Sequence, residues 1–255
     1  MSFANKVVIV TGASSGIGAA TALMFAEEGA DVVLVARTQA KLAAVAKNIE
    51  ALGKKKPLII QADLSKEADT ATVVPKTIKH FGQLDVLVNC AGMASEGCLL
   101  DGKALQAYDD VMRTNVRAVI QLTSLAAPYL IQTKGNVVNI SSAAELLTRK
   151  IPKTLMFYAV SKAALGHFTR CAALELASSG VRVNSVNPGP VENEFITNNK
   201  LSNANELKGR LAGYTALGYI AKNDEIGRVI LFLASDKARS ITGSNYVIDN
   251  GCLLN

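Results

Sequence analysis

The chain has 255 residues and a mass of 26.8 kDa, with 49% hydrophobic, 19% charged and 5% aromatic residues. Apolar content this high excludes a disordered chain, and the length suffices to bury a large core within one domain. The net charge is +6, but the bases are scattered and lack interleaved aromatics for stacking, which argues against a nucleic-acid partner.

Short β-branched runs alternate with helical patterns. Val7–Val10, Val32–Val35, Leu58–Ile60, Val86–Val88, Val137–Ile140, Val181–Val186 and Tyr246–Ile248 read as strands, most of them apolar rather than alternating. Strands of that kind imply a parallel sheet covered on both faces. Helical stretches are expected over 16–29, 39–52, 66–81, 103–131, 155–179 and 224–234. Parallel strands need crossovers, so the expected fold class is α/β: a doubly wound, Rossmann-like parallel sheet of about seven strands in a single domain, 1–255. The cofactor-binding half would span about 1–135 and the catalytic and substrate-binding half about 136–255. Residues 188–222, rich in Asn and Gly, read as one long irregular stretch, with a lid over about 193–216.

Gly12, Ser14, Ser15, Gly16, Ile17 and Gly18 form a glycine-rich turn between the first strand and the first helix. Such a turn lets the backbone approach a pyrophosphate, which the amide groups of the helix start attract. An ordinary strand–helix loop has similar composition, so the weight comes from its place after strand one. At the end of strand two stand Arg37 and Thr38, with no acid. A carboxylate there would bind the ribose 2′-hydroxyl of NAD, whereas Arg37 suits a 2′-phosphate, so NADP(H) is favoured over NAD(H). Stacking of Arg37 on the adenine face would leave that choice open.

Further along come Asp63-Leu64, Asn89-Cys90-Ala91-Gly92, Asn115, Ser141-Ser142, Tyr158-x-x-x-Lys162 and Asn187-Pro188-Gly189-Pro190-Val191. This series, in this order, resembles the short-chain dehydrogenase/reductase family in its form with a TGxxxGxG turn, from residue 6 to about 251. Of the six tyrosines only Tyr158 has a Lys four positions later, which puts phenol and ammonium on one helix face. A nearby cation is expected to lower the phenol's pKa toward neutrality, as proton transfer requires. Without the other motifs the same pair would read as a surface ion-and-phenol pair.

The resemblance implies that Tyr158 exchanges a proton with the substrate oxygen and that Ser142, rather than Ser141, hydrogen-bonds that oxygen. Lys162 would bind the nicotinamide ribose and tune Tyr158. Asn115 would hold a water for Lys162, or else repair a kink in its helix. Asp63 and Leu64 would hold the adenine, with Asn89, Ala91 and Gly92 lining the cofactor cradle near the adenosine ribose; Asn89 reads equally as a strand-end anchor. Pro188, Gly189, Val191 and Asn193 would lie along the nicotinamide. Hydride transfer itself is the cofactor's chemistry.

Four departures mark a divergent member. Ser15 stands where many NADP-using relatives carry a second base, leaving Arg37 almost alone. Asn193 replaces the usual Thr, and Tyr219 a frequent Arg. The spacing from Ser142 to Tyr158 is longer than is common.

The segments 143–157 and 193–216 are expected to form the substrate pocket, with Leu146, Leu147, Ile151, Leu155, Met156, Phe157, Phe195, Leu201, Leu211 and Tyr214. Such a pocket suits a medium-sized hydrophobic ketone or secondary alcohol: a steroid, an isoprenoid, a retinoid or similar. Arg149, Lys150 and Lys153 on that loop keep 3-oxoacyl-carrier-protein reductase as the alternative. A non-enzymatic NADP-binding regulatory protein is the reading from another class, and a sugar-nucleotide epimerase is a relative by fold. A GxSxG elbow is absent, against a hydrolase. Two His and four dispersed Cys give no metal site. His80 reads as a helix C-terminal cap, His167 as a packing or subunit residue, Cys90 as a small buried one. Lys54, Lys55 and Lys56 read as a solvated helix end. No leader and no apolar run near the roughly 18 residues of a membrane helix are visible, so a cytoplasmic protein is expected. The resemblance implies a homo-oligomer, tetramer or dimer, paired through the helices of 103–131 and 155–179.

Overall fold

A computed structural model describes residues 2–148, 151–202 and 204–254. Seven parallel strands, β1 (Val7–Thr11), β2 (Asp31–Ala36), β3 (Leu58–Gln61), β4 (Val86–Asn89), β5 (Asn136–Ile140), β6 (Arg182–Pro188) and β7 (Asn245–Ile248), form one sheet in the order β3-β2-β1-β4-β5-β6-β7. Successive strand residues face opposite sides, so two cores must be fed by one strand. Val8 and Val10 of β1 enter a core with Phe25, Ile226 and Ile230, while Val7 and Ile9 enter another with Val73, Leu122 and Leu130. This explains why no polar residue interrupts the run.

The crossovers are α1 (Gly16–Glu27), α2 (Gln39–Ala51), α3 (Glu67–Phe81), α4 (Ala104–Met112) and α5 (Ala118–Thr133), then α6 (Met156–Leu176). The expected single helix over 103–131 is in fact two. A π-helical turn, Arg113–Arg117, separates α4 from α5. Within it Asn115 is fully buried; its Nδ2 donates to the Met93 carbonyl (2.8 Å) and to Ser161 Oγ (3.0 Å), and its Oδ1 accepts from Met93 N (2.8 Å). The widened turn swings this amide toward the end of β4, a use to which π-bulges are often put.

The stretch 188–222 is less irregular than expected. It holds α7 (Phe195–Asn198), α8 (Ala204–Arg210) and a 3₁₀ turn at Ala212–Tyr214, before α9 (Asn223–Ala234). Phe195, Leu201 and Leu207 cluster with Ala94, Leu155 and Tyr158, and this satellite core organises the segment. Lys54 and Lys55 are committed locally, to the Glu27 carbonyl (3.0 Å) and to Asp31 (2.9 Å). His80 lies in the last turn of α3 against Phe81, ahead of Gly82 at φ +76°. Among the described residues no helix is long and apolar enough to cross a membrane.

A buried polar seam ties the sheet to α6. Asn89 Nδ2 donates to Asn139 Oδ1 (2.9 Å), and Asn139 Nδ2 donates to Thr169 Oγ1 (3.0 Å). Asn139→Ala leaves both neighbours without these partners in a dry interior. We expect a loss of about 1–3 kcal/mol in urea denaturation.

Candidate active site

The strand order reverses between β1 and β4, and a cleft of about 700 Å³ opens there at the carboxyl ends of the strands. Gly12, Ser14, Ser15, Gly16, Ile17 and Gly18 form one wall. Gly12 has φ +67°, and a Cβ there would meet Ala91 Cα at 2.9 Å; a Cβ on Gly18 would meet the Gly12 carbonyl at 2.4 Å. The turn is therefore compressed against both α1 and the loop after β4. Thr11, which sequence reasoning passed over, pins that loop: its Oγ1 accepts from Cys90 N (2.9 Å) and Ala91 N (3.0 Å).

Arg37, Thr38, Asp63, Leu64, Ala91, Gly92, Ser142, Tyr158, Lys162, Pro188, Gly189, Val191 and Asn193 line the same cleft. Asn89 does not. Its side chain is buried in the sheet on Asn139, so the placement near an adenosine ribose gives way to the strand-end anchor. Asn115 lies one layer back, but a Cβ on Gly92 would stand 3.5 Å from both Asn115 Oδ1 and Lys162 Nζ, so the two groups face a common point. Asn193 Oδ1 accepts from Phe195 N (2.9 Å) just before α7, which occupies that part of the amide.

At the outer rim Arg37 is exposed, and Lys41 of α2 lines the cleft beside it. Arg37 is thus not alone. Lys41 Nζ stands 3.6 Å from the Glu194 carboxylate, which reaches over from the segment after β6. Burial works against the Asp63 carboxylate, yet the Ser65 hydroxyl (2.8 Å) and amide (3.1 Å), with Arg37 nearby, hold it below the usual range.

At the inner end α6 presents Tyr158 and Lys162 one turn apart. Lys162 is 4% exposed; its Nζ donates to the Ile140 carbonyl (2.7 Å) and lies 5.7 Å from the Tyr158 ring centroid. Burial pulls its pKa down to about 8. The expected lowering of the phenol is not found: burial raises Tyr158, and the adjacent Ser142 hydroxyl only partly opposes this. The reason is geometric, since the ammonium is spent on a carbonyl and addresses the ring face. Ser142 faces the cleft, while Ser141 is buried with its hydroxyl between Glu145 and the Lys162 carbonyl.

Beyond Tyr158 the walls are apolar. Leu147, Ile151, Leu155, Phe195, Leu201, Leu211 and Tyr214 line them as expected. Leu146 instead points to solvent, and Phe157 packs edge-on against Tyr108 at 6.4 Å. Ile196 of α7 and Leu207 of α8 also contribute from within the expected segment, and Met93 and Cys252 from loops outside it. Arg149 and Lys150 lie outside the described residues; Lys153 is exposed. His167 is exposed and paired with Arg170 (3.2 Å), away from the cleft. Among the described residues no three His, Cys, Asp or Glu gather as a metal site would require.

Comparison with known proteins agrees with this geometry. The family described as enoyl-(acyl carrier protein) reductase matches residues 12–252. A 3-oxoacyl-[acyl-carrier-protein] reductase of Thermotoga maritima is 35% identical over 256 residues, covering 100% of both chains. The chain belongs to the short-chain dehydrogenase/reductase family. A glucose 1-dehydrogenase of Gluconobacter oxydans is 36% identical, over 99% of this chain and 93% of its own. A short-chain dehydrogenase of Burkholderia cenocepacia solved in complex with NADP has a TM-score of 0.88 at 33% identity, covering 99% of this chain and 100% of its own. The protein is accordingly an oxidoreductase acting on CH–OH and C=O groups, and its fold binds a nicotinamide cofactor. The cradle fits one: the first amide groups of α1 have no intrahelical acceptors, and the glycines bring the turn close against them.

Gly18→Ala tests that cradle. Its methyl group must displace backbone, so NADPH affinity is expected to fall roughly tenfold or more in a fluorescence titration.

Proposed function

We propose that the protein is an NADPH-dependent carbonyl reductase, working in reverse as a secondary alcohol dehydrogenase, on hydrophobic ketones and alcohols. The observation that carries this reading is the Tyr158 phenol beside Ser142, at the junction of the cofactor cleft with an apolar chamber under the segment 193–216. The bound nicotinamide supplies or accepts the hydride. Ser142 would donate to the substrate oxygen and stabilise charge developing there. Tyr158, held protonated by burial, is suited to deliver the proton that the new alkoxide requires. Lys162 would reach the nicotinamide ribose and hold positive charge near the phenol. Asn115 would support Lys162 through a shared water, besides anchoring Met93.

Arg37, with Lys41, supports NADP(H) over NAD(H), because two cations at the rim suit a phosphate. Asp63 and Leu64 would flank the adenine, and Pro188, Gly189 and Val191 the nicotinamide. The apolar residues Ile120, Ile131, Val160 and Leu174, exposed on α5 and α6, support a homo-oligomer, dimer or tetramer, and we place the protein in the cytoplasm. The full-length similarity to 3-oxoacyl-[acyl-carrier-protein] reductases favours a second reading, reduction of a 3-oxoacyl thioester.

A panel of free ketones and 3-oxoacyl thioesters, assayed by NADPH oxidation, separates the two readings. Turnover of free ketones at a kcat/KM at least equal to that of the thioesters is the expected result, and Tyr158→Phe should cut it about 100-fold or more. No turnover of any carbonyl would defeat both readings. Arg37→Ala should raise the KM for NADPH roughly tenfold and leave that for NADH unchanged, as loss of a charge-assisted contact to phosphate requires.

A further inference from the structure

A carboxylate stands behind the catalytic cluster with no part in the chemistry described so far. Glu145 ends the short helical turn Ala143–Glu145 that follows Ser142. Its Oε2 accepts from Asn187 Nδ2 (2.7 Å) and from Ser141 Oγ (3.0 Å), and its Oε1 accepts from Asn245 Nδ2 (2.9 Å). These donors come from the end of β5, from β6 and from β7. The remaining side is α6. Gly166 lies one turn beyond Lys162, and a Cβ there would stand 2.2 Å from Glu145 Oε1. The bare glycine is what admits the carboxylate against the helix.

Every hydrogen bond to Glu145 named above comes from a neutral donor. Toward Lys162 face the Tyr158 ring from α6, the Ile140 carbonyl from β5, Asn115 near Gly92, and Cys90 after β4. Burial pushes the Cys90 thiol up to about 12, so it is neutral at physiological pH. Glu145 is the carboxylate packed against α6 at Gly166, one turn from Lys162, and there its charge favours the ammonium against burial. Ser141 adds a mechanical link, since its hydroxyl bridges Glu145 and the Lys162 carbonyl (3.1 Å). Asn187 completes the clamp by donating also to the Ser142 carbonyl (3.3 Å).

We propose that Glu145 is a positioning residue that fixes the Ser141–Ser142 turn to β6 and β7 and supplies the counter-charge that keeps Lys162 protonated. This rests on the roles of Lys162 and Ser142 given under the proposed function. In that setting, ketone reduction declines at alkaline pH as Lys162 loses its proton, around pH 8.

Glu145→Gln keeps the size of the side chain and removes the charge. Two measurements test it: the pH profile of NADPH-dependent ketone reduction, and the titration of lysine ¹³Cε resonances in the free protein. Both midpoints are expected to move down by about half a pH unit or more. Glu145→Asp, which keeps the charge, should hold the wild-type midpoint even where kcat falls. Midpoints unchanged in Glu145→Gln would overturn the proposal, whatever happens to kcat. If that variant does not fold, Gly166→Ala, whose methyl displaces the carboxylate from α6, is read in the same way. Should the wild-type protein reduce no carbonyl, the proposed function fails separately, while the lysine titration still decides the role of Glu145.

Discussion

The bond from the Lys162 ammonium to the Ile140 carbonyl, 2.7 Å long and buried, is the constraint on which the site depends. It joins the middle of α6 to the carboxyl end of β5, so the helix cannot roll without leaving a charge unpaired in the interior. The seam through Asn139 and Thr169 repeats the attachment two turns further along α6. With the helix locked, Tyr158 has one direction to face, and that direction is the mouth of the cleft. Ser142 reaches the same point from the end of β5, and its hydroxyl also lies within 3.4 Å of the Pro188 carbonyl at the end of β6.

The same bond has an electrostatic consequence. An ammonium satisfied by a carbonyl does not reach for the phenol, and the phenol remains neutral in a desolvated place. For the proposed reduction this is the useful state, because a donor must hold its proton until the hydride has moved. Charge in the cluster is thereby divided: Lys162 is held charged although burial opposes it, Tyr158 is held neutral by burial, and Glu145 balances Lys162 from behind.

At the opposite end of the cleft the arrangement is looser. Arg37 and Lys41 are exposed, and Lys41 meets Glu194 across the opening at 3.6 Å with both side chains largely in water. Such a pair is weak and easily exchanged for another anion. The rigid and the adaptable parts of the site therefore lie at opposite ends, the proposed chemistry at the deep end and the proposed cofactor selection at the rim.

Local features were legible in the sequence. The glycine turn, the paired Tyr158 and Lys162 on one helix face, and the uninterrupted apolar strands each depend on residues within a turn or a strand of one another, where spacing dictates geometry. That is why the doubly wound sheet and the main cleft residues could be read directly. Which partners Asn115 and Asn89 meet, the reach of Glu194 to Lys41, the clamp on Glu145 and the neutral Tyr158 could not. Four are decided by a partner distant in the chain: Met93 for Asn115, Asn139 for Asn89, Glu194 for Lys41, Asn245 for Glu145; burial decides the fifth, Tyr158. Sequence determined which groups were on hand and which helix or strand carried them. Tertiary structure alone decided how far each was buried and what met it there, and those two quantities set both the proton affinity and the direction of a side chain.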